Sequence, residues 1–135
     1  MIIADEAAMQ EFGIQLAREL SPGDIVAIDG PLGAGKTVMS RGILRGLGFA
    51  GDVSSPSYAI VHEYHPPEIS IPVMHIDLYR IEHESELTEL GLDDNLDDTI
   101  QLIEWAQQSA AILKRATRRI VINVLETKGR RIDIY

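Results

Sequence analysis

A chain of 135 residues, 45% hydrophobic and 24% charged, is long and apolar enough for one domain with a real core, which argues against global disorder. It has no cysteine, which excludes disulfides and thiolate metal sites and fits a reducing compartment. The net charge of −9 is split between residues 1–113, with 5 basic and 19 acidic side chains, and residues 114–135, with 7 and 2, so the acidic body is not expected to grip nucleic acid by itself. Partners with basic surfaces and simple solubility are the two readings of that acidity.

The opening MIIADEAAMQE has acids where a signal peptide needs basic residues, and no apolar run reaches membrane-spanning length. A cytoplasmic chain is expected. Residues 5–20 read as an amphipathic helix with Met9, Phe12, Leu16 and Leu20 on one stripe, ended by Ser21-Pro22-Gly23. Residues 24–29, DIVAID, contain an unbroken apolar run, as expected of a parallel strand covered on both faces.

The stretch GPLGAGKT, residues 30–37, follows directly and fits G-x-x-x-x-G-K-S/T at every fixed position. Gly30, Gly33, Ala34 and Gly35 form a loop in which glycines let the backbone come close to phosphate oxygens. A helix starting near Lys36 adds unpaired N–H groups and a positive dipole end. Lys36 is expected to reach the β- and γ-phosphates and the Thr37 hydroxyl to ligate Mg²⁺, with Val38 next in the helix. Gly48 is a plausible end for this second helix.

Ser54, Ser55 and Ser57 lie about 20 residues past the loop, where many phosphate-loop proteins carry a segment sensing the γ-phosphate. A Ser/Pro turn leading into a hairpin is the alternative. Residues 58–64 are β-rich, Pro66-Pro67 marks a loop, and residues 71–78 form a second apolar strand. Asp77 stands at its carboxyl end, where a Walker-B-type acid holds the metal through water or orients the attacking water; otherwise it begins the following turn.

Residues 84–90 have a short helical pattern closed by Gly91. The acidic LDDNLDD after it fails the EF-hand spacing and reads as a solvated face or docking patch. Residues 100–105 are a third strand candidate ending in Glu104, and Trp105, the sole tryptophan, is either core or a cover over the site. Residues 106–116 are helical in pattern. Residues 119–125 and 130–135 then form a β-hairpin, expected to be antiparallel to its neighbours and to carry the basic cluster, which either touches nucleotide, partner or RNA or guards a sheet edge. The histidines show no metal-ligand spacing, and no serine-hydrolase elbow occurs.

The series GPLGAGKT, VSSPSY, HIDLYR, ELGLDD and IEW resembles the bacterial TsaE (YjeE) family, with order and intervals matching along residues 3–135. The resemblance implies an ATPase of P-loop fold, dependent on ATP and Mg²⁺, that joins the TsaD and TsaB proteins in forming the threonylcarbamoyl group on adenosine 37 of tRNA. The tRNA would be met indirectly, through the complex. It further implies Gly33 to Thr37 as phosphate site, Thr37 and Glu104 as Mg²⁺ ligands, Ser55 to Ser57 as switch, Asp77 as second, catalytic acid beside Lys36, and Trp105 as the aromatic of the nucleotide site.

Pro31, Val38, Ser57 and Ala106 depart from the family pattern, where Asp, a hydroxyl residue, Thr and Pro usually stand. Ser57 keeps a hydroxyl, whereas Pro31 and Val38 remove polar groups, so weaker or differently regulated nucleotide binding is expected. A small-molecule kinase is a rival reading, but residues 48–105 supply one basic side chain, Arg80, where such enzymes need several. A GTPase lacks its N-K-x-D segment, and a nucleotide-gated binding module with little hydrolysis is the remaining alternative. The fold expected is α/β: three layers around a mixed, centrally parallel sheet, with a C-terminal antiparallel hairpin.

Overall fold

The computed structural model describes residues 1–53, 61–83, 85–89, 91–92 and 96–135. Among them, seven strands form one sheet: β1 (Ile2–Ile3), β2 (Ile25–Asp29), β3 (Val61–Tyr64), β4 (Val73–Asp77), β5 (Ile100–Glu104), β6 (Arg118–Val124) and β7 (Arg130–Ile134), in spatial order β1-β7-β6-β2-β5-β4-β3. Strands β4, β5, β2 and β6 run parallel, and antiparallel pairs close both edges, β3 on β4 and the β6–β7–β1 ribbon.

Burial explains why β2 sits in the middle. Its five residues are all buried, and the pleat sends Val26 and Ile28 into one apolar cluster and Ile25 and Ala27 into the other. Each such aliphatic side chain contributes about 1.5–3 kcal/mol by leaving water.

On the first face lie α1 (Glu6–Ala17) and α2 (Lys36–Gly46), with Met9, Leu16, Met39, Ile43 and Leu44 against the sheet. Asp5 caps α1 by accepting from Ala8 N at 2.8 Å. The two helices touch backbone to backbone: a Cβ added to Gly42 would stand 2.2 Å from Gln10 O, and one on Gly13 2.5 Å from Met39 O. On the opposite face, α4 (Ala110–Arg115) inserts Ile112 beside Ile25, Ala27 and Ile103, and Leu87 of the short α3 (Ser85–Glu89) packs against the same cluster. This is the expected three-layer arrangement around a centrally parallel sheet.

Two expectations need correction, and one element is additional. Residues 106–116 are not one helix: a 3₁₀ turn, Ala106–Gln108, is followed by extended Ser109, whose hydroxyl caps α4 at Ile112 N (3.2 Å). Strand β6 is antiparallel only to β7; on its inner side it runs parallel to β2, with Ile28 opposite Ile120. Strand β1 was not expected at all, because two residues have no periodicity to read. Ser54, Ser55 and Ser57, with residues 58–60, 84, 90 and 93–95, lie outside the described residues. No helix among the described residues is long and apolar enough to cross a membrane.

Candidate active site

Strand β2 ends at buried Asp29 and delivers Gly30 to the loop. Ala34 N donates to Pro31 O at 3.1 Å, closing a turn, and Met39 N donates to Gly35 O at 2.9 Å, opening α2. Gly33 and Gly35 have φ of 78° and 110°, positive angles that glycine adopts without the steric cost a Cβ would add. Left-handed residues inside such a turn are the backbone form that gathers successive N–H groups into an anion-binding concavity.

Lys36 heads α2 and is 5% exposed. Its ammonium donates to Gly30 O at 2.7 Å and Pro31 O at 2.8 Å, which uses two of its three N–H groups. The same nitrogen stands 4.0 Å from the Trp105 ring centroid, and Tyr79 packs on Trp105 at 4.8 Å between centroids. Burial lowers the pKa of Lys36 below that of an ordinary lysine, opposed by the charges of Glu104, Asp77 and Asp29. Pro31 therefore serves through its carbonyl oxygen, which accepts from both Lys36 and Ala34.

Parallel pairing aligns the two strand-end acids, with Glu104 opposite Ile28 on one side and Asp77 on the other. Glu104 is 2% exposed and accepts from the Thr37 hydroxyl at 3.1 Å and, more loosely, from Ser40 at 3.4 Å. Fully buried His75 donates from Nε2 to the same carboxylate, and its Nδ1 has no hydrogen-bond partner among the described residues. Asp77 accepts from Tyr79 N at 2.8 Å, so it does begin the following turn while also facing the site.

These groups line a cavity of about 490 Å³ bounded by Leu32, Gly33, Gly35, Lys36, Thr37, Val38, Asp77, Tyr79, Arg80, Glu104 and Trp105. A second cavity of about 270 Å³ lies across the loop, shares Gly33, Gly35 and Val38 with the first, and reaches Asp5, Met9, Lys128 and Arg130. The donors near Thr37 fit a hard divalent cation: a hydroxyl and carboxylates, all oxygen. Among the described residues no group of three or more His, Cys, Asp or Glu side chains could hold a metal alone, so a cation here would share phosphate or water oxygens, as Mg²⁺ commonly does.

Sequence reasoning missed several residues. Ser40 lies one helical turn after Thr37 and so shares its face, a signal that spacing could have supplied. Arg80, in sequence the one basic residue between positions 48 and 105, borders the larger of these two cavities. Asp29 accepts from Gln107 N at 3.1 Å and pairs with Arg119 at 3.1 Å, tying the end of β2 to the turn after β5 and to the start of β6. Two members of the basic cluster are engaged internally, Arg118 near Glu19 at 3.9 Å and Arg130 donating to loop carbonyls.

A glycine loop fed by the central strand of such a sheet, followed at once by a lysine-threonine helix start, defines the class of P-loop NTPase folds. The profile of the family described as "Threonylcarbamoyl adenosine biosynthesis protein TsaE" matches residues 3–132, and the chain belongs to that family. A protein of Haemophilus influenzae named "tRNA threonylcarbamoyladenosine biosynthesis protein TsaE" is 39% identical over 128 residues, covering 90% of this chain and 78% of that one. A protein of the same name from Bacillus subtilis is 40% identical over 102 residues, 75% of this chain and 62% of the relative. The crystal structure of Bacillus subtilis YdiB superposes with a TM-score of 0.76 at 27% identity, over 98% of this chain and 80% of that one.

Proposed function

We propose that this chain binds and hydrolyses Mg-ATP and, with TsaD and TsaB, supports formation of the threonylcarbamoyl group on adenosine 37 of tRNA in the cytoplasm. The tRNA role follows from family membership and from what the relatives' names state. One observation carries the nucleotide reading: Thr37 and Glu104, 67 positions apart, meet at 3.1 Å beside a lysine already pinned to the loop.

In this reading the loop from Gly30 to Gly35, with Ala34 between the two left-handed glycines, receives the phosphates through backbone N–H groups. Lys36 spends its third N–H on the terminal phosphates, and Trp105 keeps the ammonium in place from above. Thr37 and Glu104 hold Mg²⁺, which when bound neutralises phosphate charge and polarises the bond to be broken. Asp77 orients the attacking water, and Arg80 stands where charge on the transferring phosphoryl group needs offsetting. Val38, on the wall that the two cavities share, borders the bound nucleotide. Ser55 and Ser57 keep their proposed part as γ-phosphate switch.

The test is phosphate release from Mg-ATP by the purified chain, alone and with TsaD and TsaB, alongside reconstituted tRNA modification with and without the chain. Stimulation by the partners and its loss in Lys36→Ala are expected. An unchanged rate on adding both partners would remove the assembly part of the proposal.

A further inference from the structure

A loop that turns N–H groups toward a phosphate has to turn carbonyl groups elsewhere, and a carbonyl left without a partner favours flipping the peptide. On the loop's outer side the Arg130 guanidinium donates from Nε to Ala34 O at 3.0 Å and from Nη2 to Gly33 O at 3.3 Å. Its other arm, Nη1, is tied to the hairpin turn at Gly129 O (3.2 Å) and at Lys128 O. The backbone of Arg130 is fixed as well, since it lies opposite Val124 of β6 and opposite Ile3 of β1. A half-buried cation anchored in the sheet therefore grips two successive carbonyls in the middle of the glycine loop.

We propose that Arg130 is a positioning residue that holds the phosphate loop in its binding shape from behind, making the C-terminal hairpin part of the nucleotide grip. The proposal rests on the nucleotide-binding reading above. The guanidinium reaches the two loop carbonyls through Nε and Nη2 while Nη1 stays on the hairpin turn, a spread over three nitrogens of one plane that the single nitrogen of a lysine cannot reproduce. Gly33 and Gly35 have the widest backbone freedom of any residue type and no side chain to restrain them. Clamping the carbonyls of Gly33 and Ala34, the peptide groups between the two glycines, removes much of that freedom before the ligand arrives, which favours binding.

The experiment compares Arg130→Lys and Arg130→Gln with the unaltered chain and Lys36→Ala. Affinities for ATP and inorganic triphosphate are measured by titration, and amide hydrogen exchange at residues 33–36 is followed without any ligand. Both Arg130 variants are expected to bind ATP and triphosphate about tenfold more weakly, the scale of one charge-assisted hydrogen bond. Their loop amides should exchange faster, and KM should rise while kcat is retained. Arg130→Lys, which keeps the charge, remains informative if Arg130→Gln does not fold. Unaltered exchange and affinity in Arg130→Lys would overturn the proposal. So would weaker ATP binding with unaltered triphosphate binding and exchange, which would make Arg130 a nucleoside contact. If the unaltered chain bound neither ligand, the nucleotide reading would fail, while exchange in the ligand-free protein would still decide what Arg130 does.

Discussion

The Thr37 hydroxyl lies 3.1 Å from a carboxylate oxygen of Glu104, across the seam between the head of α2 and the end of β5. Parallel pairing of β2 with β5 produces this contact, because the register that sets Ile28 opposite Glu104 also sets the start of the following helix beside it. Glu104→Gln keeps the shape and removes the charge. It should weaken Mg²⁺ activation by about 10-fold or more, since even altering a residue that only hydrogen-bonds to a metal ligand costs that much. Titrating hydrolysis with Mg²⁺ at saturating ATP checks this, and an unshifted midpoint would exclude Glu104 from the metal site.

Lys36 bears on pH. Phosphate binding favours its charged form, and burial has lowered its pKa, so raising the pH deprotonates it sooner than an ordinary lysine. ATP affinity should therefore decline on the alkaline side before the usual lysine range is reached. An affinity profile flat to that range in direct titrations would contradict the assignment.

Trp105 is the sole tryptophan and touches the Lys36 ammonium, so its fluorescence should respond to ATP. Trp105→Phe should keep most binding, and Trp105→Ala should lose about 0.5–2 kcal/mol with the cation–π contact. Equal affinities for all three proteins would show that the ring does not hold the lysine.

His75 is wholly buried and donates to Glu104. His75→Leu would leave a buried carboxylate oxygen short of a donor, destabilising the fold by about 1–3 kcal/mol or more. Urea unfolding at neutral pH measures this. A smaller loss in His75→Gln, whose amide N–H reaches in the same direction, would show that the hydrogen bond rather than ring volume is responsible.

Gly42 tests the helix pair. A methyl group there would stand 2.2 Å from Gln10 O, backbone that cannot swing aside, so Gly42→Ala should destabilise by about 1–3 kcal/mol despite the better helix propensity of alanine. A variant as stable as the parent would mean that α1 moves off the sheet without penalty.

The glycine loop, β2 and α2 were legible in the sequence because one short stretch carries both pattern and chemistry. Residues that act across distance were not. Arg130 and Gly33 are 97 positions apart, and Arg119 and Asp29 are 90 apart, joined only by a strand order that no local pattern encodes. His75 reads as one more residue in an apolar strand until its partner on the next strand is seen. Residues 106–116 read as one helix because no glycine or proline interrupts them, while the left-handed turn at Trp105 (φ 59°) and the Ser109 hydroxyl cap decide where the helix begins.

The neighbours of β2 in the sheet, β5 and β6, are both drawn from residues beyond 99. During synthesis the glycine motif thus leaves the ribosome early but stays without its flanking strands, Glu104 or Arg130 until residues 100–134 follow. A nascent or truncated product holding the whole motif but lacking β5 and β6 should therefore be blind to nucleotide.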